Sequence, residues 1–435
     1  MKKIIIISYY YPPTNFVAAE RTSSWVRHLH KYGYYPVIIT RNWNAGQSNS
    51  FEKIAQNDFK REVFTTHELH SLPYNRNLRD KLFKYEKSIL LSFFRKVLTI
   101  SEKILGNFSI SFLPYSNLFH YAQDMIKSNP GMYKYLIISG SPFQSFQFGY
   151  LLKKRYNIKW LPDYRDEWTI IQDKKNQTFS KNLMCHFDRF FEKKWTKNAD
   201  GFITVTDYLV KIISNLNNKK GYKVMNGYEP TMFETQKNLS SKNPKEFIIT
   251  YNGSIYKAQD FSIIINSLKQ IIRKYPSIKI QVNFVGLGSD IEMSNKIKNY
   301  FHGYENNLNI TKRINKNEVI AILNSSDLLL LTSYGTIKGW LPVKIFDYLA
   351  IEVPILLCPS DDDEMSWFIK NTNTGYIANS NEECVEIIKK MIEKKSLNEP
   401  LKLEINKTQT QIYTREYQAK ILANVLDNFN ETIKK

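Results

Sequence analysis

The sequence predicts an α/β protein built as two Rossmann-like α/β/α halves, and three observations carry that reading. Continuous apolar, β-branched runs recur along the 435 residues, each leading through a polar or glycine-bearing loop into a segment of helical periodicity. This series is interrupted after Pro230, where TMFETQKNLSSKNPK loses its period as a linker does. A second series of the same kind then starts. The expected organisation is an N-terminal half over 1–229, a linker at 230–246, a second half over 247–405, and a terminal helix over 406–435 placed to pack back on the N-terminal half.

Composition narrows the class. With 43% hydrophobic and 14% aromatic residues the chain can bury sizeable cores, which excludes wholesale disorder. A formal charge of +20 implies attraction to something anionic: a nucleic acid, an acidic lipid surface or a phosphorylated small molecule. Cys185, Cys358 and Cys384 are far apart and form no CxxC or Cys/His set, so neither a disulfide framework nor a zinc site is indicated and a reducing compartment fits best. MKKIIIISYYYPP is too short and tyrosine-rich for a signal peptide and reads as a buried first strand. No uncharged apolar stretch approaches the roughly 20 residues that cross a bilayer.

In the first half, Ile4 to Ser8 is a strand, YYYPPTNFVAA a loop, ERTSSWVRHLHKYG from Glu20 a helix stopped at Gly33, and YPVIIT at 35–40 the next strand. The turn after strand one holds no G-x-G-x-x-G, which disfavours a nicotinamide or flavin site there. Residues 78–105 mix Leu, Ile and Phe with Lys and Arg at helical intervals. That pattern fits an interfacial helix turning Arg79, Lys84, Lys87, Arg95, Lys96 and Lys103 toward anionic head groups, and equally an internal helix on the sheet. YLIISGSPFQS (135–145), IKWLPDYRDEW (158–168), ADGFITVTD (199–207) and KVMNGYEP (223–230) are further strands with their loops. Ligands of open parallel sheets sit outside the carboxyl ends of strands, which places Asp163, Arg165, Asp166 and the 139–141 loop with Ser141 on one rim.

In the second half, FIITYNGSIYK (247–257), IKIQVNFVGLGSD (278–290), DLLLLTSYG (327–335) and PILLCPS (354–360) are strands, with helices near 260–274 and 381–394. Between the last two strands lies GWLPVKIFDYLAIEVP (339–354). Pro342 suits a first helical turn, Val343, Phe346, Leu349 and Ala350 repeat at core spacing, and Lys344 and Asp347 share a neighbouring face. Backbone N–H groups at a helix N-terminus plus one ammonium make a diphosphate receptor, and a carboxylate a turn deeper can accept from a ribose diol. Gly253 and Ser254 with Lys257, and Gly286 with Gly288, end the preceding strands in loops that let backbone approach an anion.

The order YYYPP…Arg21, SGSPFQS, DYRDEW, NGYE, YNGSIYK, FVGLG and GWLPVKIFDYLAIEVPIL, over residues 1 to about 395, resembles the bacterial family 4-like glycosyltransferases of the GT-B fold, closest to the capsular and exopolysaccharide branch. The resemblance implies two Rossmann-like domains facing across a cleft and transfer of a sugar from a nucleoside diphosphate sugar, with retention of anomeric configuration and no obligatory metal or other cofactor. It places Lys257 and Lys344 on the diphosphate with Gly253 and Ser254, Asp347 on the ribose and Gly286 near base or phosphates. Asp166, Asp163 and Arg165 are its catalytic candidates, and Arg21 and Ser141 its acceptor contacts. A lipid-linked or oligosaccharide acceptor, a cytoplasmic location and peripheral contact with an anionic membrane follow from the same likeness. Four departures stand out. Asp347 replaces a usual glutamate, Ile337-Lys338-Gly339 lacks the paired one, Ser254 stands where arginine is common, and Glu229 where aspartate is. They keep open a catalytically silent sugar-binding partner subunit. A nucleic-acid-binding protein accounts only for the charge, with no basic repeat or stacking motif beside it.

Overall fold

In the computed structural model, which describes residues 1–14, 16–43, 59–74, 77–82, 88–170, 172, 179–234 and 243–431, the isoleucines Ile4 to Ile7 of strand β1 (Lys2–Ser8) are all buried. A strand covered on both faces belongs inside a parallel sheet flanked by helices. β1 lies between β2 (Tyr34–Arg41) and β5 (Tyr133–Ser139), parallel to both, with Ile5 opposite Val37 and Leu136. With β3 (Lys60–Val63), β4 (Glu68–Leu72), β6 (Lys159–Tyr164), β7 (Phe202–Thr204) and β8 (Gly221–Lys223) they form an eight-stranded sheet ordered β3-β4-β2-β1-β5-β6-β7-β8. Edge strand β3 is antiparallel to β4.

Residues 1–225 and 415–435 make one compact unit, and 226–414 a second. The terminal helix Arg415–Glu431 belongs to the first unit's core: Leu422, Ala423 and Leu426 share a cluster with Ile4, Ile6 and Trp25, and the Tyr135 hydroxyl donates to the Leu426 carbonyl at 2.6 Å. The second unit holds a six-stranded, wholly parallel sheet ordered β11-β10-β9-β12-β13-β14, from β9 (Glu246–Asn252), β10 (Lys279–Val285), β11 (Leu308–Ile310), β12 (Leu328–Leu331), β13 (Ile355–Leu357) and β14 (Gly375–Ile377). The strand order reverses between β1 and β5 in one sheet and between β9 and β12 in the other. Those are the switch points outside which doubly wound sheets bind ligands.

Several elements differ from the sequence reading. The first helix begins at Val17, inside the expected loop, because its N-cap is Phe16, which offers no side-chain acceptor to mark the start. Gly33 closes the following 3-10 turn in the left-handed conformation, φ 83°. KVMNGYEP is not itself a strand: pairing covers Gly221–Lys223 and ends where the chain leaves the sheet, with Tyr228 bridged singly to Thr414. Strands β3, β4, β11 and β14 carry no β-branched run. Lys84, Lys87 and residues 235–242 of the expected linker lie outside the described residues.

Because Leu422 fills the first unit's core, Leu422→Ala is expected to destabilise that unit by about 2–5 kcal/mol. Calorimetry should show a lowered transition. Leu397→Ala, at a residue 70% exposed in the other unit, should leave both transitions in place.

Candidate active site

The stretch around Pro342 folds as a short buried helix, Lys344–Ile351. Its first turn opens with the Pro342 and Val343 carbonyls accepting from the Ile345 and Phe346 N–H groups, both at 3.1 Å, so proline stands where its missing N–H costs nothing. Glu352, left-handed at φ 61°, closes it. Every residue from 344 to 351 is buried except Lys344 and Asp347, which are half-buried. An amphipathic surface helix would expose a whole stripe. Here a core helix opens at two adjacent positions one turn apart, and both carry charge. The Tyr348 hydroxyl accepts from the Asn252 N–H at 2.9 Å, tying the helix to the end of β9.

The stem of Lys344 is half-covered, but its ammonium is fully buried and has no hydrogen-bond partner among the described residues. It lies 3.9 Å from the centroid of the Tyr251 ring. A ring face offsets only part of the hydration lost. Burial accordingly pushes the Lys344 pKa down to about 7 from an ordinary 10.5. Beside it, Gly253 ends β9 at φ 99° and Gly286 ends β10 at φ 84°, a conformation costly for any residue with a Cβ. A Cβ on Gly253 would come to 3.3 Å from the Lys344 Nζ. The Gly253 N–H donates to the Val285 carbonyl at 2.8 Å and the Gly286 N–H to the Thr311 hydroxyl at 3.0 Å, so two strand ends are locked side by side.

Around this centre the expected residues divide. Gly253, Gly286 and Lys344 converge. Asp347 pairs with Lys316, Nζ to Oδ2 2.7 Å, at the start of the helix Lys316–Ser325. Ser254 is exposed, and its carbonyl receives the Tyr251 hydroxyl at 2.8 Å. Lys257 stands apart, its side chain 73% exposed and 3.6 Å from Glu292. Gly288 is a packing glycine, since a Cβ there would meet the Thr311 carbonyl oxygen at 3.0 Å. Sequence reasoning passed over Tyr251, Lys316 and Arg313, whose Cγ lies 4.0 Å from the Cβ position at Gly286. Tyr251 was legible two positions before Gly253. Nothing marks Arg313 and Lys316 in TKRINKN except the short strand before them.

In the first unit the structure separates the candidates differently. Asp163 and Arg21 are buried against each other: Arg21 Nε is 3.1 Å from both carboxylate oxygens and Nη2 2.9 Å from Oδ1. Ser139 Oγ donates to Asp163 Oδ2 at 3.0 Å, Arg21 Nη1 donates to the Met225 carbonyl at 3.1 Å, and Trp25 covers the guanidinium at 4.6 Å. Neither side chain faces solvent, so Asp163 does not stand on the strand-end rim where the sequence placed it and Arg21 is not open to an acceptor. Arg165 and Asp166 do lie beyond the end of β6, paired at 3.0 Å with the Asp166 carboxylate 44% exposed. Ser141, left-handed at φ 68°, is half-buried in the loop after β5, where the Gly140 N–H donates to the Asp163 carbonyl at 2.9 Å. No group of three or more His, Cys, Asp or Glu side chains placed to hold a metal occurs among the described residues.

Comparison with known proteins agrees with this geometry. Residues 232–409 match the family model "Glycosyl transferases group 1". Among solved structures, sucrose-phosphate synthase of Thermosynechococcus elongatus is similar at TM-score 0.62 and 15% identity over 99% of this chain and 100% of that one. A glycosyltransferase of Rickettsia africae follows at 0.61 and 13%, over 98% and 99%. Anabaena HepE in complex with UDP is similar at 0.52 and 11%, over 99% and 98%. A curated relative, the transcriptional regulatory protein RXT2 of Saccharomyces cerevisiae, is 24% identical over 150 residues, 33% of this chain, and the chain spans about a third of that protein's length. Residues 232–409 thus resemble the glycosyl transferases group 1 family, and the chain's two doubly wound units carry the GT-B fold.

Proposed function

We propose that the second unit binds a nucleoside diphosphate sugar and that the protein transfers the sugar, with retention, to a saccharide or lipid-linked acceptor held by the first unit. One observation carries the reading: an ammonium buried without a hydrogen-bond partner at a helix N-terminus, beside two strand-end glycines in the left-handed conformation. A buried cation of this kind is costly until an anion joins it. Two phosphates supply that anion, and the adjoining helix terminus and glycine loops suit them. HepE was solved with UDP and with UDP-glucose, which makes UDP the first nucleotide to test.

In this reading Lys344 and Arg313 neutralise the charge that builds on the diphosphate as its bond to the anomeric carbon breaks and the acceptor oxygen takes its place. That is electrostatic stabilisation of the leaving group, the contribution on which such a transfer most depends. Asp347, held by Lys316, is oriented to accept from the ribose. Gly253 and Gly286 bring backbone close to the phosphates. Lys257, long and exposed, reaches them only by rotating, and the Ser254 carbonyl is committed to Tyr251. Arg165, Asp166 and Ser141 remain the acceptor and catalytic candidates of the first unit. Arg21 and Asp163 become positioning residues. Synthesis of a bacterial capsule or exopolysaccharide at the inner face of the plasma membrane is the pathway we propose. A silent sugar-binding subunit is the second reading, favoured by the absence of a glutamate across Ile337-Lys338-Gly339, where the Gly339 N–H donates instead to the Asp363 carboxylate at 2.5 Å.

Calorimetric titration with UDP should show binding that Lys344→Gln weakens at least tenfold, with Asp347→Ala weakening UDP more than inorganic pyrophosphate. Turnover of a panel of UDP-, GDP- and dTDP-sugars tests transfer; binding of a nucleotide with no turnover of any donor would favour the silent subunit.

The lysine also sets a pH dependence. Free Lys344 is charged below about pH 7 and neutral above it. UDP affinity, after the nucleotide's own titration is subtracted using Lys344→Gln, should be flat below that value and fall by up to tenfold per pH unit above it. Stability runs the other way. The folded protein binds fewer protons than the unfolded chain between about pH 7 and 10.5, so the ligand-free protein should gain stability as pH rises through that window. Lys344→Met should remove that slope and raise the melting temperature by roughly 2–4 °C for each kcal/mol recovered.

A further inference from the structure

The helix Ile89–Phe108 turns an apolar face outward. Ile89, Leu90, Phe93, Phe94, Val97 and Ile100 are exposed, Ile89 at 90% and Phe93 at 61%, and at 3.6 residues per turn they fall within an arc of about 140°. Of its 20 residues only Gly106 and Asn107 are buried. Polar contacts in its C-terminal half fasten the helix to the protein: Glu102 accepts from Arg79 at 2.9 Å, Lys103 pairs with Asp188 at 2.7 Å, and the Asn107 amide donates to the same carboxylate at 2.9 Å. Ion pairs of this kind fix which side turns outward. The apolar surface continues through Phe108, 65% exposed and 5.1 Å from the Phe191 ring, to Leu183 and Phe190 on the helix Phe179–Thr196, each 64% exposed.

We infer that this face is a docking surface for an anionic lipid bilayer, with the helix lying in the plane of the head groups. Charge selects the occupant. Among the described residues of this helix, the short helix Leu78–Lys81 and the helix Phe179–Thr196, the acids Asp80, Glu102, Asp188 and Glu192 are turned inward. Lys81, Lys96, Lys181, Lys193 and Lys194 are exposed. An apolar stripe bordered by lysines and cleared of exposed acids suits acyl chains beneath acidic phosphates, each lysine near the surface adding about 1 kcal/mol. A second copy of the chain would bring lysine against lysine. A self-paired helix also buries a narrower seam than this broad face, two positions in seven. None of the described helices is long and apolar enough to cross a membrane.

The surface lies wholly in the first unit and stands independently of donor binding, so the two fail separately. The test is co-sedimentation of the full-length protein with phosphatidylcholine vesicles containing about one-third phosphatidylglycerol, and with phosphatidylcholine alone. Binding to the anionic vesicles is expected, weakened several-fold by raising salt from 0.1 to about 0.5 M, since screening shortens the reach of exposed charges. The double substitution Phe93→Ser, Phe94→Ser should reduce the bound fraction at least tenfold while leaving the melting temperature and UDP titration unchanged, and Lys96→Glu should reduce it less. No sedimentation with anionic vesicles, equal binding by the double variant, or a dimer in light scattering that the double variant dissociates without any vesicle binding would each overturn the assignment.

Discussion

An ammonium held out of water sets the terms for the second unit. Lys344 is the first residue of a helix whose other side chains, Asp347 apart, are core. The topology brings the ends of β9 and β10 together, so that Gly253, φ 99°, stands beside the ammonium and Gly286, φ 84°, stands beside Gly253. Substituting either would cost backbone strain, and at Gly253 a Cβ would also crowd the Nζ. Tyr251 supplies the floor, fixed by its own hydroxyl on the Ser254 carbonyl. A cation held this far from its preferred solvation is relieved either by an anion or, above about pH 7, by loss of its proton.

The first unit uses its buried charge oppositely. Arg21 and Asp163 satisfy each other through paired N–H···O contacts, and Ser139 and the Met225 carbonyl take up remaining capacity. A buried pair of this quality is rarely a net source of stability, but removing one partner strands the other at a cost of about 3–5 kcal/mol. Its consequence is geometric. Helix 17–28, strand β6 and the segment at 225 are drawn from three distant parts of the sequence onto one ion pair, with the Met225 carbonyl on its Arg21 side, which fixes the end of β6 and so the start of the Arg165–Asp166 loop. The same chain thus has one closed ionic cluster that shapes a scaffold and one open cation that addresses a ligand.

How much of this the sequence discloses follows from which physical signal each feature leaves. Uninterrupted apolar runs such as IIII and LLLL mark strands covered on both faces, and the glycines and proline that punctuate them mark strand ends and the helix at 342. Both halves of the fold were therefore readable, as was the Gly253–Gly286–Lys344 set. Short or edge strands such as β3 and β14 leave no run, because only one or two of their side chains need be buried. Asp163 was placed on the rim because it sits near the end of a strand. Pairing continues through Tyr164, however, and β5 and β7 flank Asp163 on both sides, so its carboxylate lies below the rim where Arg21 reaches it. Arg313 and Lys316 acquire their place only when β11 aligns beside β10, a contact no local pattern encodes.

Most of the chain is consistent from one level to the next: apolar periodicity, burial and turn chemistry point to the same structure, as a foldable sequence requires. Two places break that rule, in opposite directions. At Lys344 an ammonium enters the core with no hydrogen-bond partner among the described residues, and along 89–108 an apolar stripe is turned to water on a helix fastened by Glu102, Lys103 and Asn107. Neither is explained by a local shortage of alternatives. A methionine would fill the position of Lys344 without the desolvation cost, and exchanging the outward phenylalanines for serines would not disturb the contacts of Glu102, Lys103 or Asn107. Each departure lowers the stability of the isolated chain and becomes favourable only when a second phase or molecule is present, a phosphate anion for one and a lipid surface for the other. The net charge of +20 belongs to the same logic, since both expected companions are anionic.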